Sequence, residues 1–289
     1  MTVNHIKLET VMVEIVLGCN LRCLHCPVGN WEMFGNRKPS SMTLETFDKI
    51  LQQVPNGCQI HLGAMGEPTL NQKFEKMAKL SSDRGHPTFT TTNATRLHEF
   101  DMDKLKELFD GITISVDGWQ DSYLRHRQKS DWDVVLRNIN KLARAKGKSS
   151  ITVASIESSL TYLDNIKALD YWENIGVRMC KLPLDDYCGQ LILPTELGPC
   201  LSVAQRDWKS GKRISCELIF RCMHVNPQGR AFACCHDLRN DIQLRGIDDP
   251  GGIVEAWNTD IQKLRDEHSK EEFRFPCSKC NMTRPLLRR

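Results

Sequence analysis

No apolar run in this chain approaches the roughly 18 residues that a bilayer demands, so no transmembrane helix is expected. Met1 to Glu9 lack the basic-then-apolar pattern of a secretory signal, which points to the cytoplasm. The net charge is only +3, too little to argue for nucleic acid or a membrane surface as partner. There is no internal repeat and no low-complexity tract, so neither a repeat architecture nor a long biased linker is expected. The rest of the composition is ordinary: 289 residues, 40% hydrophobic and 26% charged, enough for one large domain and a small one.

Cysteine is what the chain has in excess. There are 13, clustered rather than spread. Three lie within residues 19–26 and six within 216–280, while Cys58, Cys180, Cys188 and Cys200 are scattered. Without a secretory signal, metal binding or catalysis explains them better than disulfides.

The first group, Gly18-Cys19-Asn20-Leu21-Arg22-Cys23-Leu24-His25-Cys26-Pro27, follows the apolar run Val11–Leu17. The run reads as a buried strand, with the cysteines in the loop at its C-terminal end. Three thiolates spaced Cys-x3-Cys-x2-Cys suit a [4Fe–4S] cube and leave one iron open for chemistry. The alternative is zinc, with His25 offered as fourth ligand.

Five further strands are expected at Gln59–Gly63, Thr88–Thr92, Ile112–Val116, Ile151–Ser155 and Val177–Leu182. Amphipathic helices are expected between them at Leu44–Val54, Phe74–Ser81, Met102–Phe109, Trp132–Ala145 and Leu163–Ile175, with Asp131 as N-cap of the fourth. Strict alternation argues for an α/β fold with a parallel sheet. Residues 190–214 read as a linker between a first region, 1–189, and a second, 215–289.

The cysteine motif after a first strand resembles the radical S-adenosylmethionine (SAM) superfamily. The resemblance implies a partial (β/α)6 TIM-like barrel with its site at the C-terminal ends of the strands. It implies SAM bound at the open iron and cleaved by one electron to methionine and a 5′-deoxyadenosyl radical, with a reductant such as flavodoxin or ferredoxin. By the same resemblance Cys19, Cys23 and Cys26 hold the cluster. Gly66 and Glu67 of Gly63-Ala64-Met65-Gly66-Glu67-Pro68 would receive the SAM amino group. Thr92 and Asn93 stand where relatives have Thr-Asn-Gly, with Ala94 in place of the glycine. Ser115 and Asp117 of Ser115-Val116-Asp117-Gly118 would lie near the ribose. Arg127, preferred to Arg125, would face the SAM carboxylate through its planar fork. Each of these loop elements also has an ordinary reading as a turn or a solvated segment.

In the second cysteine group, Met223–Phe232 reads as a hairpin turning at Pro227-Gln228-Gly229, and Ile253–His268 reads as a helix. A unit this small is usually stapled by metal. It resembles the SPASM extension of radical SAM enzymes in its shorter twitch form, which implies one auxiliary [4Fe–4S] cluster. The family pattern assigns Cys216, Cys222, Cys234 and Cys280, with Cys277 an alternative to Cys280 and Cys235 an alternative to Cys234. A zinc ribbon is the other reading.

A fully ligated second cluster accepts an electron, so the layout favours dehydrogenation of a small polar substrate, as in superfamily members that oxidise amino-cyclitol alcohols. Epimerisation is the second outcome, with Cys235, Cys188 or Cys200 as hydrogen donor. Peptide modification is the third, lowered by a first strand so near residue 10. The remaining alternative is a metal protein that only binds a partner.

Overall fold

The structure is a computed structural model, and it describes residues 6–29, 34–198 and 215–280. Its centre is a parallel sheet of six strands: β1 (Thr10–Val13), β2 (Gln59–Leu62), β3 (Thr88–Thr92), β4 (Gly111–Ser115), β5 (Ser150–Glu157) and β6 (Arg178–Pro183). They lie in chain order, each hydrogen-bonded to the next. This is the open, partial (β/α)6 barrel that the alternation of strands and helices predicts.

Helices α1 (Leu44–Gln53), α2 (Phe74–Asp83), α3 (Met102–Leu108), α5 (Trp132–Arg144) and α6 (Tyr162–Asn174) cover the sheet. All five begin within a residue of the expected place. Asp131 caps α5 by accepting a hydrogen bond from the backbone N–H of Val134. A short helix, α4 (Asp121–His126), was not expected, since six residues show almost no periodicity. Alternate strand residues such as Val11, Val13, Ile60, Leu62, Ile112 and Ile114 are buried against Phe47, Met77, Val135, Ile139 and Trp172 of the helices. This shared burial holds the layers together.

The first apolar run is not one strand. It breaks after Val13, and Val16–Leu17 forms a separate pair with Ser40–Ser41. At the break Glu14 is fully buried and ion-paired with Arg37.

The C-terminal region extends the same sheet. Strand β7 (Cys222–Val225) pairs in parallel with β1 on the side away from β2, and β8 (Arg230–Phe232) and β9 (Gln243–Gly246) follow antiparallel. Gly229 closes the expected turn with φ +79°. Met223, Val225, Ala231, Ile253 and Trp257 belong to the same apolar core as the barrel. The hairpin, too small for a core of its own, thus buries its apolar face on β1. The expected helix Ile253–His268 is interrupted: α7 (Gly252–Glu255) and α8 (Gln262–Ser269) flank one π turn at Ala256–Asp260. Among the described residues no helix is long and apolar enough to cross a membrane.

Candidate active site

The loops at the C-terminal ends of the strands meet around a cavity of about 300 Å³. Cys19, Cys23 and Cys26 line it, with Gly66 and Glu67 after β2, Thr92 and Asn93 at the end of β3, Ser115 at the end of β4, and Arg127, Leu182 and Tyr187. Elements read separately from the sequence thus converge on one place.

The cysteine loop is held by backbone. Arg22–Cys23 forms an antiparallel pair with Arg127–Gln128, and the N–H of Leu24 donates to the carbonyl of His126 at 3.0 Å. This pairing brings Arg127 to the thiols: its guanidinium lies 3.8 Å from Cys23 Sγ and 2.7 Å from Asp117. Asn93 Nδ2 lies 3.7 Å from Cys19 Sγ. Burial pushes the Cys23 thiol up to about 12 and the Cys26 thiol up to about 11. These thiols therefore become thiolates only when a cation joins them, as metal binding requires.

Gly66 is a close-approach position with φ +89°. A Cβ there would lie 2.5 Å from the carbonyl oxygens of Val16 and Gly18. Glu67 is buried and ties two loops together. Its carboxylate accepts from Thr69 and from the Thr92 hydroxyl at 2.6 Å, and from the Asn93 N–H at 2.7 Å. Its backbone N–H donates to Gly18 at 2.8 Å. Ala94 occupies the left-handed region with φ +61°, the conformation that suits the glycine of the related motif.

Asp117 is not a turn cap. It is fully buried, 2.7 Å from Arg127 and 3.0 Å from His126, and accepts from the Ile156 N–H at 2.7 Å. Burial opposes its charge, but Arg127 and His126 hold it ionised well below the usual carboxylate range. It stands behind the cavity wall, not on it. His25 stacks on His126 at 4.8 Å, and burial lowers its pKa to about 3. Arg125 is exposed and faces Glu196 at 3.5 Å, so the choice of Arg127 agrees with where the two side chains lie.

The residues present fit SAM and a cluster. Three thiols form the donor set, Gly66 leaves a backbone cradle, and Arg127 Nε is buried with no hydrogen-bond partner among the described residues. The donor chemistry is that of an iron–sulfur site with one iron left open.

A second, apolar-walled cavity of about 20 Å³ is lined by Cys216, Cys234, Cys277 and Cys280, together with His236. Burial pushes the Cys277 thiol up to about 12 and Cys234 well above its usual value. Cys222 is not on this cavity. It opens β7, and its Sγ lies 3.8 Å from the Met223 carbonyl and 4.0 Å from His224 Nε2. Of the expected set, Cys216, Cys234 and Cys280 line this cavity, and the alternative Cys277 lies beside them. His236 escaped the sequence reading. Burial works against a charge on it, yet hydrogen bonds to Asp185 and Cys280 push it up to about 12.

Cys188 is buried beside Cys280, and Cys235 packs on the apolar group Leu17, Val28, Phe34, Met65 and Leu238. Neither lines the first cavity. Cys200 lies outside the described residues, as do 199–214 of the expected linker.

A barrel whose strand ends gather three closely spaced thiols defines a class, and the sequence comparison agrees. The radical SAM superfamily model matches residues 13–158, and the chain belongs to that superfamily. It is thus an enzyme class that binds SAM and a [4Fe–4S] cluster. A curated relative, the tungsten-containing aldehyde ferredoxin oxidoreductase cofactor-modifying protein of Pyrococcus furiosus, is 32% identical over 114 residues, which is 38% of this chain and 31% of that one. The chain thus matches under a third of that relative's length.

Two solved structures share the fold. BtrN in complex with AdoMet and 2-DOIA has a TM-score of 0.62 at 15% identity, over 96% of this chain and 91% of that one. SuiB of Streptococcus suis bound to precursor peptide SuiA has a TM-score of 0.71 at 13% identity, over 96% and 70%.

Proposed function

We propose that this chain is a radical SAM dehydrogenase with an auxiliary [4Fe–4S] cluster in a twitch-type C-terminal module. Residues 1–189 carry the SAM site and 215–289 the second cluster. The substrate class is a small polar alcohol of the amino-sugar or cyclitol type, and a flavodoxin or ferredoxin supplies the reducing electron. Its thiol ligands suit the reducing cytoplasm.

One observation carries the reading. Four thiols, three buried and that of Cys234 half-buried, converge on the second cavity, a complete ligand set with no place for substrate at the metal. Such a site accepts an electron. Bound at the two sites, the cofactors supply hydrogen-atom abstraction from carbon and an outlet for the second electron.

The chain's own groups hold this arrangement. Cys19, Cys23 and Cys26 are the ligands of the first cluster; Cys216, Cys234, Cys277 and Cys280 are those of the second. Gly66 leaves room for the SAM amino group against the backbone, and Glu67 locks the loops of Thr92 and Asn93 beside it. Ser115 faces the ribose. Arg127 would meet the SAM carboxylate with its Nε, which has no hydrogen-bond partner among the described residues, while Asp117 fixes its other face. Tyr187 closes the cavity on the side of the second site.

Among the described residues no thiol besides the three ligands lines the first cavity. The test is turnover in D2O. A dehydrogenase forms a ketone with one SAM consumed and no solvent deuterium on carbon. Deuterium in an epimeric product would overturn the reading.

A peptide substrate is the second reading. The SuiB structure that shares this fold holds a precursor peptide. Here Leu182 lines the cavity and is 45% exposed, an apolar contact that suits a peptide side chain.

A further inference from the structure

The imidazole of His236 stands at the second cavity with a partner on each nitrogen. Nε2 lies 2.6 Å from Asp185 Oδ2, and Nδ1 lies 3.4 Å from Cys280 Sγ. The loop after β6 fixes the ring. The Tyr187 ring meets it edge-on at 5.5 Å. Gln190 Nε2 donates to the His236 carbonyl at 2.8 Å and to the Tyr187 carbonyl at 2.7 Å. The same loop therefore supplies Tyr187 to the SAM cavity and Asp185 to His236.

We infer that His236 is a positioning residue that donates an N–H to the sulfur of Cys280 and thereby raises the reduction potential of the second cluster. This rests on the reading of the four-cysteine cavity as a cluster site. A cluster-bound cysteine is a thiolate and can only accept. A carboxylate likewise only accepts. Nδ1, 3.4 Å from Cys280 Sγ, therefore lies where an N–H reaches the sulfur, while Asp185 holds the other side of the ring. A hydrogen bond to a cluster sulfur favours the reduced, more negative state, so the potential rises. That direction suits a centre whose task is to take an electron from a substrate radical. Asp185 orients the ring and balances its charge, as carboxylates do behind metal-site histidines.

The test uses the full-length, anaerobically reconstituted holoenzyme. Iron per chain is measured first, and then the midpoint potential of the second cluster is followed by electron paramagnetic resonance in a redox titration. His236→Leu should keep the wild-type iron content and lower the potential by at least a tenfold change in the reduction equilibrium, which is ~59 mV for one electron. His236→Gln, which retains one donor, should shift in the same direction by less, and decides the matter if the leucine variant does not assemble. Asp185→Asn should also shift downward.

Unchanged potentials in all variants overturn the inference. Loss of about half the iron in His236→Gln overturns it differently, by making the imidazole a ligand. A wild-type chain that binds a single cluster removes the reading of the site itself, and shows this before any variant is made.

Discussion

Arg127 reaches Asp117 at 2.7 Å with one nitrogen of its guanidinium and Cys23 Sγ at 3.8 Å with another. Both members of the ion pair are buried, and the pair ties the wall behind β4 to the cysteine loop after β1. Removing one member of a buried pair leaves an uncompensated charge. Asp117→Asn should therefore cost about 3–5 kcal/mol, read as a lowered urea midpoint. Arg125→Ala, which loses only the exposed contact to Glu196, should cost less than about 1 kcal/mol.

Two small residues make opposite demands. Gly66→Ala drives a methyl group into the carbonyls of Val16 and Gly18, and should destabilise by about 2–3 kcal/mol and abolish SAM binding in calorimetry. Ala94→Gly relieves left-handed strain but gives up a buried methyl group, two opposed effects of about 1 kcal/mol each. Its thermal midpoint should stay near wild type, with SAM binding kept.

Iron analysis separates the two candidate ligand sets of the second site. Cys277→Ala should lower iron from about eight to about four per chain, whereas Cys222→Ala should leave it unchanged. Loss of iron in the Cys222 variant alone would restore the pattern expected from spacing.

The second site marks where sequence stops informing. Strands β1 to β6 were legible because β-branched residues alternate and loops punctuate them. The first cysteine group was legible because its three thiols are local and need no fold to bring them together. The second ligand set is not local. Cys222 satisfies the spacing, but it opens a strand paired to β1 and is not among the residues lining the cavity. His236 meets Cys280 from 44 residues away, and no pattern of period two or 3.6 records such a contact. Asp117 reads as a turn residue because its partners, Arg127 and His126, arrive only when α4 folds back on the cysteine loop.

Removing iron with a chelator should not unfold the C-terminal hairpin. Strand β7 is held to β1 by a parallel ladder from Thr10–Cys222 to Val13–Val225, and Met223 and Val225 lie in the main core. Amide exchange should stay slow at Met223 to Val225 after chelation while rising around Cys277 to Cys280. Fast exchange throughout the hairpin would show that metal, and not burial on β1, holds it.

The central claim is that a cluster on Cys19, Cys23 and Cys26 cleaves SAM. The most direct measurement is the amount of 5′-deoxyadenosine formed by anaerobically reconstituted, chemically reduced enzyme supplied with SAM. The account predicts formation by wild type and by Cys222→Ala, and none by Cys23→Ala. Wild-type enzyme with its full iron content that leaves SAM intact would contradict it.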